Sequence, residues 1–209
     1  MTAAIKRFPM KGIPSLVLIF LVSVSTALAV RHPSASPRPT PALTPDGELD
    51  SVAEEFIRGY LAAHPLQAVA LGFHEYDGRI NDFTRLSIDA ELARLRRFDE
   101  RLKKFDIAKL SPRAAIDLRL LQTAIHRELF QILNLGIYER NPMTYARAIE
   151  VNTYVKRNFA PIEDRVRSIV TIENQAPNIV IAAKTNLTDV LSKPHVELAI
   201  QIARGAPNF

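Results

Sequence analysis

From residue 44 onward apolar residues return every three or four positions, the spacing that collects side chains on one face of an α-helix. Thr44 followed by Pro45 reads as an N-cap with proline at the first helical position, where a missing N–H costs nothing. Leu49, Val52, Ala53, Phe56, Ile57 and Tyr60 then share a face, and Pro65 follows the helix end. A second helix is predicted to start near Ser87, with Asp89 and Glu91 well placed in its first turn. Its stripe is Ile88, Leu92, Leu95, Leu102 and Phe105 with Phe98 beside it, and Asp99 falls at the edge of that face.

Ser111 and Pro112 repeat the cap-and-proline signature and open a long helix expected to reach about Leu135, with Gly136 as terminator. Leu118, Leu121, Ile125, Leu129 and Ile132 form its main stripe, widened by Ile116, Leu120 and Leu133. Further helical patterns cover Met143 to Asn158, Pro161 to Gln175 and Pro177 to Leu191, the last two with proline at the first position. A final turn or two runs from Val196 to Ala203. No stretch alternates with period two between hairpin residues, so the expected class is all-α, a multi-helix bundle or a partial helical shell. The later helices are apolar enough to want a partner surface, as in a fragment of a larger helical fold; a complete small bundle would look much the same.

The first 29 residues have a different character. Lys6, Arg7 and Lys11 precede a nearly uninterrupted apolar run from Ile13 to Val24, and Ala27-Leu28-Ala29 is a small-x-small cleavage pattern. Residues 1–29 therefore read as a signal peptide cut after Ala29, with an uncleaved membrane anchor as the alternative. Either sends the chain out of the cytoplasm, to the periplasm or beyond it, and only this segment would meet a membrane. Residues 30–45 carry Pro33, Pro37, Pro39, Pro41 and Pro45 among Ser, Thr and Ala, the composition of an extended linker. The helical domain then occupies residues 46–209.

Charge adds one exclusion. The chain has 27 basic and 22 acidic residues, but the leader holds three of the former and none of the latter, leaving a balance of +2 after cleavage. So small an excess offers no basic face for a nucleic acid backbone. The densest basic cluster, Arg94, Arg96, Arg97, Arg101, Lys103 and Lys104, alternates with Glu91, Asp99 and Glu100, as a solvated surface laced with ion pairs would. The absence of cysteine excludes disulfides, thiolate metal sites, a cysteine nucleophile and a lipid-modified cysteine.

Candidate chemistry is sparse. In His74-Glu75-Tyr76-Asp77-Gly78 a zincin motif would need a second histidine where Gly78 stands, and Asp77-Gly78 favours a turn. His126 has Phe130 four residues on and reads as a histidine on or near the surface. No G-x-S-x-G elbow or phosphate-binding glycine loop occurs. Glu54-Glu55 and Glu163-Asp164 are adjacent carboxylates that do not share a helix face. Asn186-Leu187-Thr188 fits a glycosylation acceptor, with meaning only in a eukaryotic secretory route.

Three strings taken in order carry a resemblance. Leu71-Gly72-Phe73-His74-Glu75-Tyr76-Asp77-Gly78-Arg79 followed by Asp82, then Glu139-Arg140-Asn141-Pro142-Met143-Thr144-Tyr145, then Lys193-Pro194-His195-Val196-Glu197-Leu198-Ala199-Ile200, resemble the N-terminal portion of the bacterial domain-of-unknown-function family numbered 885. The resemblance covers about residues 48–209. It implies a largely helical, often exported protein of several hundred residues that looks like a zinc metallopeptidase of the gluzincin type. In such a protein the H-E-x-x-H helix lies in the C-terminal part; no position here matches it, so no catalytic or metal-binding residue is carried over.

What the resemblance implies for this chain is one wall of a helical shell around a cleft. His74, Tyr76, Asp77, Asn141 and Tyr145 are the polar candidates to line it. The competing reading is structural: Gly72 and Asp77-Gly78 shape turns and Asn141-Pro142 starts a helix, and turn chemistry by itself accounts for those residue types. The expected function is the N-terminal helical part of an exported metallopeptidase-like protein, inactive alone, with no cofactor in this chain, zinc and a peptide substrate belonging to a full-length relative, and no nucleic acid partner. The alternative is a non-enzymatic periplasmic interaction module.

Overall fold

The computed structural model describes residues 44–205, so the leader and most of the proline-rich linker lie outside the described residues. Within them the chain is helix and connecting turns, without a strand. The helices are α1 (Pro45–Ala63), α2 (Pro65–Ala70), α3 (Arg85–Leu102), α4 (Pro112–Phe130), α5 (Met143–Ala146), α6 (Asn152–Lys156), α7 (Ile162–Glu173), α8 (Ala176–Asn186) and α9 (Lys193–Gly205). Among the described residues no helix is long and apolar enough to cross a membrane.

The hydroxyl caps hold the ends of the long helices. Thr44 accepts the Gly47 N–H on α1 and Ser111 accepts the Ala114 N–H on α4. On α3 the cap is Thr84, which accepts the Ser87 N–H, so the helix begins at Arg85 rather than near Ser87. α4 relaxes into a wider π turn over Gln131–Leu135, and Gly136, at φ 60°, stops it in the left-handed conformation.

α1, α3 and α4 form the main core. Leu49, Val52 and Phe56 meet Leu95, Phe98 and Leu102, and Ala114, Leu118 and Ile125 close the third side. Burying each of the larger of these side chains contributes on the order of 1.5–3 kcal/mol. Asp99 sits at the rim of this core, as its stripe position implies, and takes hydrogen bonds from Lys103 and from His126 on α4. Three of the six residues of the basic cluster are paired: Arg94 with Glu91, Lys103 with Asp99 and Glu100, and Arg101 with Glu55 on α1.

Two smaller clusters carry the second half of the chain. Phe83, Tyr145, Ala148, Ile179 and Ala182 form one; Val69, Tyr154 and Ile172 form the other; half-buried Ile80 and Ile149 touch both. Serving both clusters breaks the single helix expected over Met143 to Asn158 into α5 and α6. Tyr145 and Ala148 turn to one cluster and Tyr154 to the other, and the Glu150 carboxylate accepts the Asn152 N–H at the restart. Pro161 proves to be the residue before α7, and Pro177 the second residue of α8, which ends at Asn186 rather than Leu191. α9 is longer than its pattern suggests and begins at Lys193.

Several apolar positions assigned to buried stripes face outward instead. Ile57 on α1 is exposed, and so are Ile116, Leu120 and Leu133, the residues that widen the α4 stripe. On α7, Ile162, Val166 and Val170 form a row at four-residue spacing, each about half exposed at 54%, 46% and 49%. A period identifies an apolar face but does not say whether these 162 residues cover it.

Candidate functional site

The two turns singled out by sequence are held by local bonds. His74, Glu75 and Tyr76 form one turn of 3₁₀ helix, and Gly78 follows with φ 76°. The His74 ring stacks on Phe159 with centroids 3.9 Å apart, and its Nδ1 lies 3.3 Å from an Asp77 carboxylate oxygen. Tyr76 is half-buried against the Val69 and Tyr154 cluster, with the Arg79 guanidinium over its ring. In the second turn the Asn141 side chain accepts the Met143 N–H, and the buried Tyr145 hydroxyl donates to the Tyr138 carbonyl and accepts from the Asn186 amide. Thus His74, Tyr76 and Asp77 lie together, while Asn141 and Tyr145 belong to another part of the molecule. None of the five lines either of two hollows formed by the described residues.

The first hollow, about 470 Å³, lies between residues 80–85 and α8, with Ile179, Ala182 and Asn186 along its α8 wall. The second, about 480 Å³, is the more polar and lies where the end of α1, the end of α4 and the 137–150 segment converge. Tyr60 and His64 form one wall, stacked with ring centroids 4.3 Å apart and planes 26° apart, as their four-residue spacing on one helix face permits. The Tyr60 hydroxyl donates to the Gln67 side chain, and His64 Nδ1 lies 2.9 Å from the Tyr60 carbonyl oxygen. Arg127 and Glu128, which also line the hollow, pair at 3.0 Å, the carboxylate side chain only 13% exposed. Gln131, Tyr138, Arg147 and Glu150 line it as well, the last two being exposed.

The electrostatics of this hollow favour holding over proton transfer. Burial, reinforced by the charges of Glu128 and Glu91, pushes the Tyr138 phenol up to about 12. Burial likewise raises Tyr60, with Glu128 adding to the shift and Arg127 opposing it. Both phenols therefore stay protonated and act as hydrogen-bonding groups at neutral pH, not as bases. Glu91 behind them is held by Arg94, two of whose nitrogens reach its two oxygens at 2.7 Å.

Sequence inspection does not single out Tyr60, His64, Glu128, Gln131 or Tyr138. Their only local signal is the four-residue interval from Tyr60 to His64, which is common on any helix. Among the described residues no three histidine, aspartate or glutamate side chains are grouped so as to hold a metal ion. His74 and His126 are each directed at a single aspartate, so the residues present do not fit a zinc site.

Comparison with known proteins adds the following. The family model described as "Bacterial protein of unknown function (DUF885)" matches residues 65–209. No curated protein matches the chain. A solved structure of a candidate lipoprotein of unknown function from Shewanella oneidensis superposes with a TM-score of 0.67 at 24% identity, over 76% of this chain. That match takes in 29% of the Shewanella chain, so the present chain spans under a third of that neighbour's length. The likeness shows a shared helical fold.

Proposed function

Because the chain belongs to the bacterial family of unknown function DUF885, we propose that it forms the N-terminal helical wall of a larger, exported, zinc metallopeptidase-like protein and is catalytically silent alone. One observation carries the reading: the uncovered apolar row Ile162, Val166 and Val170 on α7, a face a free-standing domain would have to leave in water. A fold that corresponds to less than a third of its solved neighbour supports the same idea, since such a wall has more protein to lie against. The leader pattern of residues 1–29 supports export. Zinc, the general base and the peptide substrate belong, in this proposal, to the remainder of such a protein.

The test is direct. The purified chain without its leader, incubated with zinc and a mixture of peptides, should show no hydrolysis above blank and no stoichiometric retention of metal. Turnover that a chelator abolishes would overturn the proposal. Export is checked separately by fractionating cells that express the full chain, where a purely cytoplasmic product would count against it.

A further inference from the structure

We infer that the polar hollow between α1, the end of α4 and the 137–150 segment is a binding site for a neutral, polyhydroxylated ligand of mono- or disaccharide size. The inference stands apart from the peptidase reading, since it uses only side chains this chain already holds.

Charge comes first. The charged side chains lining the hollow are Arg127, Glu128, Arg147 and Glu150, which sum to zero, and the first two are already paired with each other. An anion or a cation entering there would meet a like charge as well as an opposite one, whereas a neutral ligand meets no such conflict.

Hydrogen-bonding capacity narrows the class further. The Tyr60 carbonyl can only accept, so His64 Nδ1 donates a hydrogen bond to it. The Gln67 carbonyl oxygen is taken by the Tyr60 hydroxyl, which leaves its amide N–H groups as donors. The Tyr138 hydroxyl and the Gln131 side-chain amide line the hollow without a hydrogen-bond partner among the described residues. Donors and acceptors are therefore interleaved around one space. A hydroxyl offers one donor and two acceptor lone pairs and can answer both kinds, while a carboxylate or an ammonium answers only one.

Shape agrees with this assignment. The stacked Tyr60 and His64 rings cover one face of each other, and an outer face of the pair is left on which the C–H face of a sugar ring can lie. A volume of about 480 Å³ is in the range of small-molecule sites.

The experiment is an NMR titration of the chain without its leader against glucose, N-acetylglucosamine and maltose, with glutamate and lysine as charged comparators at equal concentration. Saturable shifts are expected with at least one saccharide and with neither amino acid. Tyr138→Phe and Gln131→Ala should each weaken saccharide binding about tenfold, the scale of one lost hydrogen bond. Arg113→Glu, at a side chain 93% exposed on α4 and outside the hollow, should leave it within about twofold. Thermal melts identify any variant that fails to fold, and the Arg113 variant and the comparators keep the test decisive in that case. The inference is overturned by no saturable saccharide binding, by tighter binding of glutamate or lysine, or by saccharide binding that survives both Tyr138→Phe and Gln131→Ala unchanged.

Discussion

The buried hydroxyl of Tyr154 on α6 accepts the backbone N–H of Gly78 at 3.0 Å, joining residues 76 positions apart in the chain. The Gly78 carbonyl is bonded as well, by the Gln175 side chain at 3.0 Å, so both polar groups of one glycine are secured by separate elements. This explains the His74 to Gly78 string without reference to a metal. It is a turn whose last residue docks between α6 and α7, and the aromatic and acidic residues before it fasten it from outside.

Tyr154→Phe should therefore destabilise the fold. The substitution keeps the ring packing and strands the Gly78 N–H, a loss of about 1–3 kcal/mol for an unsatisfied buried donor. Urea unfolding of the two proteins checks it, and a midpoint unchanged in Tyr154→Phe would show that water replaces the hydroxyl at no cost.

Gly78→Ala tests the backbone on the same turn. At φ 76° an L side chain is strained by roughly 1–2 kcal/mol, and the new Cβ would sit 3.4 Å from the Thr171 methyl, ordinary contact that adds little. The expected result is a drop in stability of about that size, measured in the same way, with the helical circular dichroism spectrum retained.

A third prediction concerns acid. Burial alone would raise the Asp99 carboxyl, but the hydrogen bonds from Lys103 and His126 outweigh it and hold it below the usual carboxylate range. A carboxyl whose folded value is depressed contributes stability above its unfolded value near 3.9, and that contribution is lost as pH falls through the folded value. Asp99→Asn should thus lower the melting temperature at pH 7 and narrow its gap to the wild type on acidification below about pH 4. A gap that stays constant from pH 7 to pH 3 would show that the pair has no electrostatic share in stability.

The helices α1, α3 and α4 are legible in the sequence because their information is local. A hydroxyl followed by proline marks the starts of α1 and α4, a three-and-four spacing marks the face of all three, and Gly136 marks a stop. The break between α5 and α6 is not local: residues 143–158 keep a helical pattern, and it is the demand of two separate clusters, through Tyr145 and Tyr154, that interrupts them. The outward-facing Ile116 and Leu120 are hidden from sequence reading for a related reason, since they are apolar whether or not anything covers them. The polar hollow was the least legible. It gathers residues from Tyr60 to Glu150, and only the path of the chain brings them to one place.

The uncovered face of α7 gives a fourth prediction. Val166→Glu, at the centre of the exposed row, should change the unfolding free energy by no more than about 0.5 kcal/mol, as expected at a surface position. The same change should raise the concentration at which the chain begins to self-associate in light scattering. Clear destabilisation by Val166→Glu would mean that the row is packed in solution and would remove the main support for a missing partner surface.

Asn186 provides the sharpest test of how the second half of the chain is assembled. It is the one buried polar residue among the described residues, and its amide donates to the Phe83 carbonyl at 2.7 Å and to the Tyr145 hydroxyl at 3.1 Å. These bonds tie the end of α8 to the segment before α3 and to α5, so one side chain serves three elements far apart in sequence. Asn186→Asp is nearly isosteric but replaces the donor by a carboxylate, which would face the Phe83 carbonyl oxygen with no hydrogen to offer. The cost should be about 3 kcal/mol or more at pH 7, as for other buried charges left without a partner, and should shrink as the carboxyl is protonated at low pH. Asn186→Ala should cost less, about 1–3 kcal/mol, because it leaves the carbonyl unpaired without adding a charge. Chemical denaturation of both variants at pH 7 and pH 4 decides the matter: the order Asp worse than Ala at pH 7, with the difference closing at pH 4, is what a donor-specific role requires.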